Sequence, residues 1–519
     1  MSGNDAFLQA IRDDPDDDAL RLIYADWLDE NGDADRARFI RLQIDIDRRA
    51  PFDPAVPDLE AAADELRKGR EAAWGAPPAP ETYLDWHFWH GFPEELEVLA
   101  ERLVAEPDAI FGRGTVRSLR PFRVEEHMAQ LAALPHLAGV VRLDIRSEFV
   151  RDAGMEALAA SPHLARLTSL TLEEAGIGEA GVRALTASPY LRSLRSLNLN
   201  GNEFQTAGVA ELAAWPGAAN LTGLQLSGAV RRDGALVLAA SPYLANLTSL
   251  DVSCNDFLTG AGAESLVRSP SFPRLAAINL NQNDLGDEGV AALAASPLLP
   301  RLSFLLLGWN GLGAESARAL AAAPALSRIT SLDLHHNKLG AAGARLLAQS
   351  PHAANLERLN LSENRLGDEG VEALAQSPQL PRLTHLNLDE NRITPRGARC
   401  LAESPLLSRL RSLSLEGNEL GDAGVRALAT SANLASLTAL DLAKNNVGDA
   451  GALALALSPF VRRLRGLNLN YNRIDEDGAT ALAASAHLGG LRRLALYSNP
   501  FGHESSKALL ERFGAAVWW

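Results

Sequence analysis

Residues able to carry chemistry are sparse in this chain, and their spacing argues against a catalytic centre. The run Asp13-Asp14-Pro15-Asp16-Asp17-Asp18 has enough charge to attract a metal ion. It lies between two amphipathic helical patterns, however, and reads as helix punctuation and capping with solvated carboxylates. His87 and His90, within Asp85-Trp86-His87-Phe88-Trp89-His90, are three apart and could share a helical face. The aromatics around them favour a packed cap over a metal site. Cys254 and Cys400 lack a local histidine or an electropositive setting, so neither reads as a nucleophile. The recurring Gly-Asp-Glu-Gly, as at Gly286–Gly289, lacks the alternating oxygen ligands of a calcium loop. With no lysine-bearing phosphate loop and no Ser-His-Asp pattern, we expect no catalytic residues, no metal and no cofactor, and no enzyme.

The elements that hold these residues come from one repeated unit. The pattern Leu-x-Leu-x-x-Asn begins at Leu143, Leu170, Leu197, Leu224, Leu250, Ile278, Leu305, Leu332, Leu359, Leu386, Leu413, Leu440, Leu467 and Leu494. The spacing is 27 residues, apart from 26 before Leu250 and 28 before Ile278. Leu359 and Leu361 alternate with polar residues, which predicts a short strand with one buried face. Asp368 is placed to cap the helix that Val371, Leu374 and Ala375 begin, and Pro378 stops it. Ser-Pro recurs at this stop, as at Ser161, Ser188, Ser241, Ser269, Ser296, Ser350, Ser377, Ser404 and Ser458.

Asparagine at the strand exit supplies both a donor and an acceptor to a tight buried turn. Eleven copies carry it: Asn202, Asn255, Asn283, Asn310, Asn337, Asn364, Asn391, Asn418, Asn445, Asn472 and Asn499. We expect these to stack as a ladder. Glu148, Ala175 and Ala229 replace it in three copies, where less regular packing is expected.

These elements, with starts such as Gly421-Asp422-Ala423-Gly424, resemble the leucine-rich repeats of the ribonuclease-inhibitor-like subclass, over about residues 119–519. The resemblance implies an α/β horseshoe solenoid, with a concave parallel β-sheet, convex α-helices and a protein-binding role. The motifs Tyr24-Ala25-Asp26-Trp27-Leu28 and Arg36-Ala37-Arg38-Phe39-Ile40-Arg41-Leu42-Gln43 resemble a small helical companion domain that precedes repeats in some bacterial proteins. The expected organisation is a helical domain at 1–48, a linker and N-terminal cap region at 49–95, and degenerate capping repeats at 96–142. A solenoid of fourteen strands at 143–501 and a C-terminal cap at 502–519 complete it. In that cap, Ala516-Val517-Trp518-Trp519 reads as an edge strand whose indoles cover the open core. The competing reading is a partner-binding tail.

On such a sheet, the residue before the first leucine and those one and three after it should face solvent. The residue four after it should sit at the rim. The first of the two following columns is polar to acidic, with a break at Leu306. The same repeat carries Phe304 and Trp309, the next carries His335 and His336, and later ones carry Glu363, Asp389, Glu390 and Glu416. An apolar and aromatic cluster ringed by carboxylates has the composition of an interface hot spot, suited to a basic partner. The bland reading is local packing of Phe304 with Leu306. The histidines and carboxylates, spread over several strands, read as solvated rather than zinc-binding.

A net charge of −16 opposes non-specific binding to nucleic acid or anionic membrane. No apolar stretch reaches the roughly 20 residues of a membrane span, and no secretory leader is evident. Two cysteines 146 residues apart form no disulfide framework, consistent with a reducing, cytoplasmic setting. The expected function is therefore a non-enzymatic interaction scaffold with a protein partner on its concave face. The alternative is a regulator of an enzyme, as with GTPase-activating proteins built on such repeats, although no arginine stands out as a finger. A third reading has the N-terminal unit docking and the repeats acting as spacer.

Overall fold

The computed structural model describes residues 3–14, 17–49, 53, 55–75, 84–255 and 260–518. They form two compact units, one of residues 1–255 with 269–279, the other of residues 256–268 with 280–519. The chain alternates short strands with helices throughout both, after an opening run of helices.

In the second unit, parallel strands of three residues run from Phe304–Leu306 through Ser331–Asp333, Arg358–Asn360, His385–Asn387, Ser412–Ser414, Ala439–Asp441 and Gly466–Asn468 to Arg493–Ala495. Register is strict: Leu305 pairs with Leu332, Leu332 with Leu359, and so on to Leu494. A slip of one residue would turn every leucine to the open face. Helices of about nine residues cover the other face, and Leu359, Leu361, Leu366, Val371, Leu374, Leu380 and Leu383 of one repeat are all buried between the layers. Each side chain is worth about 1.5–3 kcal/mol only when a neighbouring repeat covers it.

Three hydrogen-bond ladders tie repeat to repeat. The amide of Asn364 donates to the carbonyls of Leu334, Leu361 and Ser362, and its oxygen accepts from the Leu339 N–H. Asn310, Asn337, Asn391, Asn418, Asn445 and Asn472 span their neighbours in the same way. Asn202, Asn255 and Asn499 do so in their own units. Asn283 is fully buried and donates its N–H to Asn310. At the replaced positions the duty shifts. The Glu148 carboxylate accepts from the Val124 N–H, while beside Ala175 the turn closes on itself, Val150 donating to the Glu148 carbonyl.

The serines before proline form a second ladder. Ser188, Ser350, Ser377 and Ser458 each donate to the last carbonyls of the preceding repeat's helix. The third ladder corrects the expectation for Asp368. It lies within the helix Gly367–Ala375, and its carboxylate accepts from the N–H groups of Thr394 and Gly397. It therefore caps the next repeat's helix, not its own. Asp152, Asp287, Asp422 and Asp449 act likewise. The reason is spacing: helices lie side by side, so a first-turn carboxylate reaches the neighbour's free N–H groups better than its own.

The first unit opens with helices Gly3–Asp13, Asp18–Glu30, Ala34–Arg48 and Val56–Arg67, followed by the antiparallel pair Leu84–Trp89 and Phe92–Leu99. Parallel strands then run from Ser118–Phe122 to Ala277–Asn279. His87 and His90 thus belong to a hairpin and not to a helix, because Gly91, at φ +87°, turns the chain where a side chain would strike Ile40. The hairpin and helices share one core of Ile11, Tyr24, Leu28, Ile40, Ile44 and Phe92, and a second of Phe39, Trp74 and Phe88. Gln43 bridges both ends of the turn, donating to the Phe88 carbonyl and accepting from the Gly91 N–H. Arg21 is fully buried against Glu94 at 2.8 Å.

His90 lies between Asp18 at 2.9 Å and Asp47 at 3.2 Å, and Asp47 also meets Arg142 at 3.3 Å. Burial opposes charge on this imidazole, but the two carboxylates hold it above its ordinary value. Both carboxylates lie below the usual range despite their own burial. Of the aspartate run, Asp17 caps its helix through the Ala19 N–H and Asp18 serves His90 and Arg48. Pro15 and Asp16 lie outside the described residues.

Candidate functional site on the open face of the second unit

Each strand leaves the sheet through a residue with a left-handed backbone. The residue four after the first leucine has φ between +50° and +81° in all fourteen copies, from Ser147 to Ser498. Glycine occupies it at Gly201, Gly228 and Gly417; elsewhere a side chain is held there against a cost of about 1–2 kcal/mol. The neighbouring asparagine ladder over-determines this turn, so the strained conformer persists. The result is a row of side chains projecting along the strand-exit rim. In the second unit the row reads Gln282, Trp309, His336, Glu363, Glu390, Gly417, Lys444, Tyr471 and Ser498.

Trp309 stacks on His336, with ring centroids 3.2 Å apart and planes 10° from parallel. His336 Nδ1 meets Glu363 Oε2 at 2.6 Å. Even so stacked, the indole is 47% exposed, whereas Leu306 is only 7% exposed and offers almost no surface. Phe304 is half-buried. His335 lies over Gly308, the only residue type that leaves it room, and meets Asp333 at 2.8 Å. Burial opposes its protonation, but Asp333 and then Glu363 raise its pKa above the ordinary imidazole value.

Asp389 is half-buried. Its Oδ1 accepts from Ser414 Oγ at 2.6 Å and the Glu416 N–H at 2.7 Å. Burial, and next among the raising causes the charge of Asp441, push its pKa up to about 6. Glu416 pairs with Lys444 at 2.6 Å, and Lys444 sits over the Tyr471 ring at 5.7 Å. Tyr471 in turn meets Tyr497 edge-on at 5.3 Å. Glu390 is exposed and makes no side-chain hydrogen bond or ion pair among the described residues, though its charge, after that of Glu416, helps raise the pKa of Lys444.

The structure thus brings Trp309, His336 and Glu363 into one contact chain and sets His335 with Asp333. It separates Phe304 and Leu306 from that chain. Tyr471 at the rim and Tyr497 on the open face are exposed aromatics that the sequence reading did not single out, because it weighed only the repeats from Phe304 to Glu416.

Trp518 corrects the cap expectation. Val517 pairs with Leu494 and turns to the core, whereas Trp518 pairs with Ala495 and stands 59% exposed on the open face, with Arg493 over its ring. Strand alternation sends adjacent residues to opposite faces. Trp519 lies outside the described residues. The expected solvent exposure of the column after the first leucine also needs correction. Asp144, Thr171, Asn198, Asp251 and Asn279 in the first unit are buried by their lateral neighbours, and Asp144 is held bidentate by Arg146.

For metal, only one group of three candidate ligands among the described residues lies close enough, Asp449 with Asp475 and Asp477. Its innermost oxygen already accepts the N–H groups of Asp475 and Gly478. The Cys400 thiol is pushed up by burial and then by Glu372, away from thiolate character, and Cys254 is exposed. No helix among the described residues is long and apolar enough to cross a membrane.

The family description Leucine Rich repeat matches nine stretches, at residues 190–213, 243–267, 275–294, 328–348, 352–375, 379–402, 408–429, 433–456 and 464–483. No protein of curated function matches the sequence. Similar solved structures include an internalin from Listeria monocytogenes, 20% identical over 63% of this chain and 80% of that one, with a TM-score of 0.38. Another is the yeast Rad7 and Elc1 complex, 15% identical over 86% and 94%, TM-score 0.41. A third is the Arabidopsis receptor kinase HAESA in complex with the peptide hormone IDA and the co-receptor SERK1. It is 20% identical over 67% of this chain and 52% of that one, TM-score 0.36. With nine matched repeats and strands in strict leucine register within each unit, the chain is a leucine-rich-repeat protein.

Proposed function

We propose that the protein is a non-enzymatic scaffold that binds a protein partner along the open face and strand-exit rim of its second unit. One observation carries this reading. Trp309, stacked on a histidine that Glu363 holds, is half exposed from a backbone conformation that favours glycine. An exposed indole in a strained turn is poorly explained by stability and well explained by contact. Glu363, Glu390 and Asp389 nearby favour a basic partner segment over nucleic acid. The partner-binding set we assign is Phe304, Trp309, His335, His336, Glu363, Asp389, Glu390 and Glu416, with Trp309 as the anchor; Leu306, which is buried, drops out of it.

The 27-residue period with a full helix in each repeat supports the ribonuclease-inhibitor-like subclass, and the Tyr24-Ala25-Asp26-Trp27-Leu28 motif supports a companion domain in residues 1–48. Its core shared with the hairpin supports a capping role for that domain. A reducing, cytoplasmic setting fits two unpaired cysteines. The test is affinity capture from native lysate with wild type and the Phe304→Ser/Trp309→Ser variant, after both are shown to melt alike. A partner held by wild type and lost by the variant supports the reading; one retained equally by both removes it.

A further inference from the structure

The charge of the strand-entry side differs from that of the exit rim. In the first unit an open groove of about 570 Å³ runs where the chain enters successive strands. Arg166, Arg192, Arg195 and Arg274 line it, with Asn220 and Asn246 between them and no carboxylate. All four arginines are exposed, in a protein of net charge −16. Arg192, Arg195 and Arg274 have no ion-pair partner among the described residues. The field is felt nearby: burial first, and then the charge of Arg166, bring buried Arg117 down to about 10.

We propose that this groove binds an extended acidic peptide segment of a partner protein, with carboxylates on the guanidinium groups. Three features select that occupant. The arginines are spread over four strand spacings, about 19 Å, too far for one compact anion and right for about six extended residues. The amides of Asn220 and Asn246 donate to the carbonyls of Arg192 and Ala219, and their oxygens, which accept from no described residue, remain to take peptide N–H groups. No aromatic ring lines the groove, so it offers bases nothing to stack on.

This site is independent of the exit rim and its failure leaves the reading above standing. The test is fluorescence anisotropy with a labelled peptide of alternating Glu and Gly, about ten residues long. The full-length protein is compared with Arg192→Ala/Arg195→Ala/Arg274→Ala. A control, Arg345→Ala/Arg399→Ala/Arg426→Ala, removes as much charge from exposed helix positions, and circular dichroism melts verify folding of all three. The expected result is binding weakened at least about tenfold by the groove variant and little changed by the control. Equal weakening in both variants, no peptide binding at low salt, displacement by millimolar inorganic phosphate, or tighter binding of a single-stranded oligonucleotide would each overturn it.

Discussion

At the scale of single residues, the asparagines and the rim separate structure from function. Asn364 is fully buried and serves two repeats at once, so Asn364→Ala should destabilise by about 1–3 kcal/mol, read as a lowered denaturant midpoint. Trp309→Gly should do the opposite of a core truncation. Glycine already occupies the equivalent place at Gly201, Gly228 and Gly417, so the variant should melt no lower than wild type while losing its partner. A clear drop in its melting temperature would make Trp309 a structural residue. Asp389 gives a third contrast. Its folded pKa, about 6, lies above the unfolded value near 3.9, so its protonated form favours folding. That contribution is whole below about pH 4 and is lost as pH climbs through 6. Asp389→Asn keeps an oxygen for Ser414 and Glu416, and should raise the melting temperature at pH 7.5 but not at pH 4.

At the scale of elements, the strand and helix of each repeat were legible in sequence, and the links between repeats were not. Leu359 and Leu361 announce their strand by alternation, and Pro378 its helix stop. Nothing local tells that Asp368 serves Thr394 and Gly397 in the next unit, or that Ser377 donates to Ala348 in the one before. Those partners are adjacent in space only because the repeats stack. The three-residue spacing of His87 and His90 likewise allows a shared helical face, whereas Gly91 turns a hairpin there. That hairpin supplies a pH dependence of its own. His90 is raised, so its contribution is complete below about 6.5 and fades as pH rises through its folded value. Asp18 and Asp47 are lowered, so theirs is complete above about 3.9 and fades on acidification. Hydrogen exchange of helices Asp18–Glu30 and Ala34–Arg48 should therefore be slowest relative to intrinsic rates in mildly acidic solution. His90→Gln should remove the alkaline part of that profile; an unchanged profile would contradict the assignment.

At the scale of the molecule, stability and recognition both arise from lateral repetition. Leucines of one repeat are buried only because a neighbour lies against them, and the rim exists only because each exit turn is aligned with the next. Removing residues 358–384, one whole period, should leave a cooperative melt, whereas removing half a period should abolish it. The proposed binding face is harder to read from sequence than the fold, since Tyr471 and Tyr497 look like ordinary repeat residues until the register places them in solvent. The most direct measurement is site-specific photo-crosslinking in native lysate, with a benzophenone side chain at Glu390 on the rim or at Arg426 on the helix Gly421–Ala429. The account predicts a discrete protein adduct from the Glu390 position that is absent from the Arg426 position. Adducts from Arg426 alone, or the same adducts from both, would contradict it.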